Sequence, residues 1–235
     1  MMRAADSFIG RDARDCAASA GSVAWCSRVR KIFWNCSRCR GLKLTDRKKG
    51  LPDTRGTLPK RRLGTPRVFA PTSEEDWRHA ALLIAELKEW DAQQSQALGF
   101  EPGEVMSVFY PDDIVDIRRY SVSPLGCLLL AMDGKVALGC AAFRRLTSDA
   151  CEAYDVYVRP TCRRRGIGSI LLRRLMHDAR TYGYRTMCLE TATFMRAAHK
   201  LYELLHFRIR APYRSIPARH AKATMWMECN LDHTP

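Results

Sequence analysis

Residues 151–184 read CEAYDVYVRPTCRRRGIGSILLRRLMHDARTYGY. Cys151–Val158 has the aromatic and β-branched content of a strand. Pro160 breaks it, and Arg163-Arg164-Arg165-Gly166-Ile167-Gly168 follows as a glycine loop. From Ser169 to Arg180 the apolar residues Ile170, Leu171, Leu172, Leu175, Met176 and Ala179 recur on one side of a helix, which Gly183 stops. Strand, glycine loop and helix in that order are suited to an anion. Glycine lets the backbone approach closely, and the helix start offers unpaired N–H groups and partial positive charge. Arginine adds forked donors matched to phosphate. By itself, the loop is equally a helix-opening turn with a solvated arginine face. There is no GxxxxGK[ST] and no GxGxxG on a first strand–helix turn, so neither nucleotide-binding loop is present.

Working outward, Arg67–Ala70 reads as a first strand. Ser73, followed three residues later by Asp76, opens a helix as a capping-box variant. Trp77, Ala80, Ala81, Ile84, Leu87 and Trp90 continue it at helical spacing, ending by Gly99. A second short helix is expected after Pro111. Leu125–Met132 and Val136–Phe143 are apolar runs joined by Asp133-Gly134, a hairpin turn. Thr186–Thr191 is a strand, Met195–Leu205 a helix, and Phe207–Arg210 and Thr224–Leu231 close the sheet. The pattern predicts an α/β fold around a mixed sheet.

The chain has 235 residues and a formal charge of +14, but the charge is unevenly placed. Residues 1–66 hold 16 of the 39 Lys and Arg and 5 of the 25 Asp and Glu. The remainder is nearly balanced, so overall basicity does not argue for nucleic-acid binding by the folded part. Residues 1–66 lack a sustained period and are expected to be a disordered basic extension, with the domain spanning 67–235. Three origins compete for the extension: a mis-assigned start codon is preferred, then a basic tethering arm able to bind nucleic acid or an acidic partner, and last a transit peptide. Asp6, Asp12 and Asp15 speak against the last. No secretory signal precedes the ten cysteines, and most of the later six sit in apolar runs, so a cytoplasmic location with free buried thiols is expected. Cys36 and Cys39 form a single CxxC without a convincing second pair, so no metal is expected. Apolar stretches fall far short of the roughly 18 residues of a membrane span. A homodimer is left open.

The stretch at 151–184, together with LETATFMRAAHKLYELLHFR at 189–208, resembles the GNAT (Gcn5-related N-acetyltransferase) superfamily. The resemblance covers roughly residues 67–232. Its loop matches Arg163 to Gly168, and its A-x-x-x-L-Y-x-x-x-G-F pattern matches Ala197 or Ala198 through Leu201, Tyr202 and Phe207. It implies a mixed, mostly antiparallel central sheet flanked by helices. It also implies acetyl-CoA as cosubstrate, an amine acceptor, direct transfer without metal, and an acyltransferase activity of the N-acetyltransferase type. The implied cofactor-binding residues are Val156, Tyr157 and Val158 on the open strand edge, then Arg163, Arg164, Arg165, Gly166, Ile167, Gly168 and Ser169. The N–H of Val158 is expected to face the thioester oxygen. Tyr202 is the implied acid for the leaving thiolate, with a packing role as its alternative. Glu152 is the implied base, with an orienting role or a bond to a nearby Arg as its alternative. Strand alternation puts Glu152, Tyr154, Val156 and Val158 on one face and Asp155 on the other. Two departures stand out: His206 replaces the usual glycine, and Met195 replaces a frequent cofactor-binding asparagine. A non-catalytic acyl-CoA-binding module is the alternative function. The acceptor pocket is expected from the first helix pair and the loops at 99–124, 144–150 and 211–223.

Overall fold

The computed structural model describes residues 65–110, Arg118 and residues 126–233. The expected basic extension, its CxxC, and the helix anticipated after Pro111 lie outside them, apart from Thr65 and Pro66. The elements run β1 (Arg67–Phe69), α1 (Glu74–Gln96), α2 (Pro102–Phe109), β2 (Gly126–Asp133), β3 (Val136–Arg145), β4 (Ala150–Val158), α3 (Ile167–Thr181), β5 (Thr186–Ala192), α4 (Arg196–Leu204), β6 (Arg208–Ile209), α5 (Ala218–Ala221) and β7 (Thr224–Asn230). Among the described residues, seven strands form one sheet in the order β1-β2-β3-β4-β5-β7-β6. Only β4 and β5 pair in parallel; every other neighbour is antiparallel.

Local chemistry explains the borders. Ser73 caps α1: its Oγ accepts from the Asp76 N–H at 3.1 Å, and Asp76 Oδ2 accepts from the Ser73 N–H at 2.9 Å. Gly134, at φ 58°, turns the β2–β3 hairpin. α4 ends in a Schellman motif, with the Phe207 N–H on the Tyr202 carbonyl and the His206 N–H on that of Glu203. His206 is the left-handed residue there, at φ 64°, so the usual glycine is replaced without loss of the geometry.

The alternating pattern of β2 and β3 buries both sheet faces. Leu129, Ala131, Leu138, Ala141 and Phe143 meet Leu171, Leu172, Leu175 and Met176 of α3. Leu128, Leu130, Ala137, Cys140 and Ala142 meet Ala80, Leu83, Ile84 and Leu87 of α1. Ile170, expected on the buried side of α3, is instead 40% exposed, while Ile167 takes the buried position at the helix start. Six cysteines, Cys127, Cys140, Cys151, Cys162, Cys188 and Cys229, are buried free thiols. Among the described residues, no helix is long and apolar enough to cross a membrane.

Candidate active site

The site is built around a fault in β4. It pairs with β5 only from Ala150↔Thr186 to Ala153↔Leu189. Past that point β4 continues to Val158 and β5 to Ala192 without pairing, so the two strands part like a wedge. On the other edge, β4 stays paired to β3, but the register steps from Ala142↔Tyr154 to Cys140↔Tyr157. Two residues, Asp155 and Val156, therefore oppose Ala141 alone, which is a β-bulge. Asp155 takes φ 50° to make it, and its carbonyl accepts from the Cys140 thiol at 3.4 Å.

The bulge corrects the expected alternation. Cys151 and Ala153 face α3, and beyond the bulge so do Val156 and Val158. Tyr154 and Tyr157 face α1. Glu152, Tyr154 and Asp155 line the same cavity, so Asp155 is not turned away from Glu152 as a regular strand would require.

At the end of β4, the Arg159 N–H donates to the Leu138 carbonyl on β3. Strand alternation then turns the Val158 backbone groups to the opposite, unpaired edge. The Val158 carbonyl there accepts from Arg163 Nε at 3.0 Å, and the Arg163 guanidinium lies 4.9 Å from the Trp90 ring centroid. Arg163 is thus tied to the fold, whereas Arg164 and Arg165 are exposed and make no ion pair among the described residues. Arg164 and Gly166 are both left-handed, at φ 61° and 77°. Backbone turns of this kind aim successive N–H groups into a concavity suited to an anion. From Arg164 to Ser169, the backbone N–H groups meet no acceptor among the described residues. Buried Ile167 anchors the loop, and half-buried Gly168 allows close packing: a Cβ there would come within 3.1 Å of Leu201 Cδ2. These donors fit a pyrophosphate.

Tyr202, on α4, is 6% exposed and packs beside Phe207, with ring centroids 5.7 Å apart. Burial pushes its phenol up to about 12.

The wedge opens into a cavity of about 180 Å³. Its walls come from α1, α2, β3, β4, β5, the turn before α4, and the segment from Arg214 to Thr224. Of the regions expected to line an acceptor pocket, α1 and parts of 99–124 and 211–223 are present, but 144–150 contributes only Arg144, and β4, β5 and the turn before α4 lie outside the expectation. The Glu152 carboxylate is fully engaged: Oε2 accepts from Arg144 Nε and Oε1 from the Tyr213 hydroxyl, both at 2.7 Å. Arg214 forks onto Glu190 at 2.5 and 2.6 Å, and Arg210 reaches Glu228 at 2.7 Å. One loop after β6 therefore holds carboxylates on β4, β5 and β7. Asp155 differs: its half-buried carboxylate has no hydrogen bond or ion pair among the described residues. Burial raises it to about 6, against the pull of Lys88 and Arg144 and with the push of Glu152. Met195 lines the cavity, and its sulfur accepts from the Thr191 hydroxyl at 3.6 Å.

Sequence reasoning missed Tyr213 and placed Asp155 on the face away from Glu152. The contacts of Tyr213 span 61 positions, and no spacing rule reaches that far. The bulge left one local trace, an Asp within a strand otherwise rich in aromatic and β-branched residues.

Comparison with known proteins agrees with this geometry. A family model described as the acetyltransferase (GNAT) family matches residues 83–207. The chain is 31% identical over 108 residues to an uncharacterized N-acetyltransferase of Schizosaccharomyces pombe, covering 45% of this chain and 66% of that one. It is 36% identical over 98 residues to the N-acetylaspartate synthetase of Rattus norvegicus, covering 41% and 33%. The matched region thus spans between a third and two thirds of these relatives' length. An acetyltransferase from Streptococcus agalactiae shares the fold, with a TM-score of 0.56 and 17% identity over 71% of this chain and 98% of that one. A GNAT-family acetyltransferase from Staphylococcus aureus gives 0.54 and 14% over 71% and 99%.

Proposed function

The chain belongs to the acetyltransferase (GNAT) family, and on that premise we propose that it moves an acetyl group from acetyl-CoA to a primary amine by direct attack in a ternary complex. The observation that carries this reading is the wedge between β4 and β5. Its open β4 edge runs from the carboxylate-lined cavity toward the loop at Arg164–Ser169, whose N–H groups meet no acceptor among the described residues. Acetyl-CoA supplies the acetyl group as a thioester.

In this reading Arg164, Arg165 and the N–H groups through Ser169 hold the pyrophosphate, while Arg163 braces the loop against β4. Val158, with Val156 and Tyr157 leading up to it on the strand, offers its backbone groups on the unpaired edge to the extended arm of the cosubstrate, while the Tyr157 carbonyl turns toward β3. The Val158 N–H stabilises the oxygen on which negative charge develops, and a fixed donor is most effective there. Glu152, clamped by Arg144 and Tyr213, is suited to orienting the amine. Asp155, without a hydrogen bond or ion pair to its carboxylate among the described residues and facing the same cavity, is the better proton acceptor, directly or through one water. Tyr202 returns a proton to the leaving sulfur. With its phenol raised to about 12 it is a reluctant acid, so its contribution falls at the low end for such a group. Titration of the full chain with acetyl-CoA tests the premise: saturable binding is expected, and its absence would overturn the reading.

A further inference from the structure

The part of the cavity lined by α1 holds polar groups that acetyl transfer does not use. Asp91 and Ser95, one helical turn apart on α1, both line the cavity and are each 7% exposed. The Tyr110 hydroxyl donates to Asp91 Oδ2 at 3.0 Å, but Oδ1 is buried without a partner among the described residues. His220, 5% exposed, lines the same cavity, and neither of its ring nitrogens has a partner among the described residues. Its ring lies 4.8 Å from that of Phe100 and 5.9 Å from that of Phe109. A neutral imidazole carries one donor and one acceptor, so both needs are unmet. Buried polar groups in native folds are nearly always bonded, and three open atoms on one cavity mark a place where a ligand completes the network.

Charge narrows the ligand. Arg144 and Arg214 are each neutralised by a carboxylate, Glu152 and Glu190. That leaves Lys88, whose ammonium lies 5.2 Å from the Tyr110 ring centroid, to set against two acids of the lining, Asp91 and Asp155. Among the described residues, the lining therefore carries one carboxylate more than its cations. The remaining wall is apolar; of its three phenylalanine rings, Phe100 and Phe109 already stack on the guanidinium groups of Arg219 and Arg214, which leaves Phe194 as a ring face able to attract a cation. Burial raises the Asp91 carboxyl, a cost that a bound cation would relieve.

We propose that the acceptor is a short diamine. Its reacting amine lies at the β4–β5 wedge beside Asp155, and its second ammonium is held by Asp91 Oδ1 with His220 alongside. This inference rests on the acetyltransferase reading for the role of the wedge, but not for the selectivity of the cavity.

The test is calorimetric titration of the full chain with 1,4-diaminobutane, butylamine and 4-aminobutanoate, each with and without coenzyme A. The expected result is binding of the diamine about tenfold tighter than butylamine, with 4-aminobutanoate weaker still. In Asp91→Asn, which keeps an acceptor for Tyr110, the diamine preference falls to about twofold or less. Equal binding of diamine and butylamine by the unmodified chain overturns the proposal without any variant. So does tighter binding of 4-aminobutanoate, or a preference that survives in Asp91→Asn. Coenzyme A binding without a diamine preference defeats this inference alone. A diamine preference without coenzyme A binding defeats the acetyl-transfer reading alone.

Discussion

Glu152 and Asp155, three positions apart on β4, line one cavity, although a regular strand would turn them to opposite faces. The bulge at Asp155 and Val156 brings them together and leaves them in unlike states. Both Glu152 oxygens are taken, by Arg144 and Tyr213, while Asp155 has no partner among the described residues. If Asp155 receives the proton of the amine, Asp155→Asn lowers kcat/KM by about 10²–10³ and leaves acetyl-CoA affinity nearly unchanged. In the unmodified chain, kcat/KM rises with pH through a limb near 6, and the variant lacks it. A limb that persists in Asp155→Asn would return the base to Glu152.

The same group makes a stability prediction. The folded chain holds the Asp155 proton more tightly than the unfolded chain, about 6 against 3.8. Between those values the folded state binds more protons, so this group's contribution to stability falls as pH rises across the window. Asp155→Asn is therefore expected to gain about 1–2 kcal/mol at pH near 8, after allowing for screening, and the gain shrinks toward about pH 4. Thermal unfolding of both chains across this range checks it.

Tyr202→Phe keeps the ring against Phe207 and removes only the hydroxyl. An acid role predicts a turnover lower by about ten- to a hundredfold, with acetyl-CoA affinity changed by less than about twofold. Steady-state kinetics with calorimetry separates the two quantities. Equal losses in both would make Tyr202 a packing residue.

The three loop arginines are expected to divide by their surroundings. Arg164→Ala and Arg165→Ala each weaken acetyl-CoA binding by about three- to tenfold, more at low salt than at high salt, because their guanidinium groups are exposed. Arg163→Ala lowers Tm as well, because it removes the bond to the Val158 carbonyl and the packing over Trp90. Titrations at two salt concentrations and a melting curve distinguish these outcomes.

Gly139 tests the packing of the sheet beside the bulge. A Cβ at this position would collide with the Tyr157 carbonyl oxygen and crowd the Val158 Cα at 3.2 Å. Both neighbours are backbone, so relief requires moving β4 itself. Gly139→Ala is expected to cost about 2–4 kcal/mol in urea unfolding and to weaken acetyl-CoA binding by disturbing the strand edge.

Much of this was legible in the sequence because its signals are local. The capping box at Ser73, the Asp133-Gly134 turn, the apolar face of α3 apart from Ile170, and the loop at Arg163–Gly168 are each specified within a few residues, and each appears where expected. α2 was not anticipated between Gly99 and Pro111: a helix of eight residues opened by a glutamate and Pro102 carries too little period to read. The Asp155 bulge changes strand parity without a glycine or proline to announce it. Tyr213, Arg214 and Arg210 meet their carboxylates only when a loop folds across three strands. His220 and Asp91 are far apart in sequence and share a cavity only through the tertiary fold.

The central claim is amine-dependent acetyl transfer, and release of free thiol from acetyl-CoA by the full chain across a panel of primary amines measures it most directly. Thiol release is expected to saturate with amine, to form the acetylated amine in equal amount, and to be lost in Asp155→Asn without loss of cosubstrate binding. Saturable acetyl-CoA binding with no amine-dependent thiol release across the panel would contradict it and make the chain an acyl-CoA-binding module.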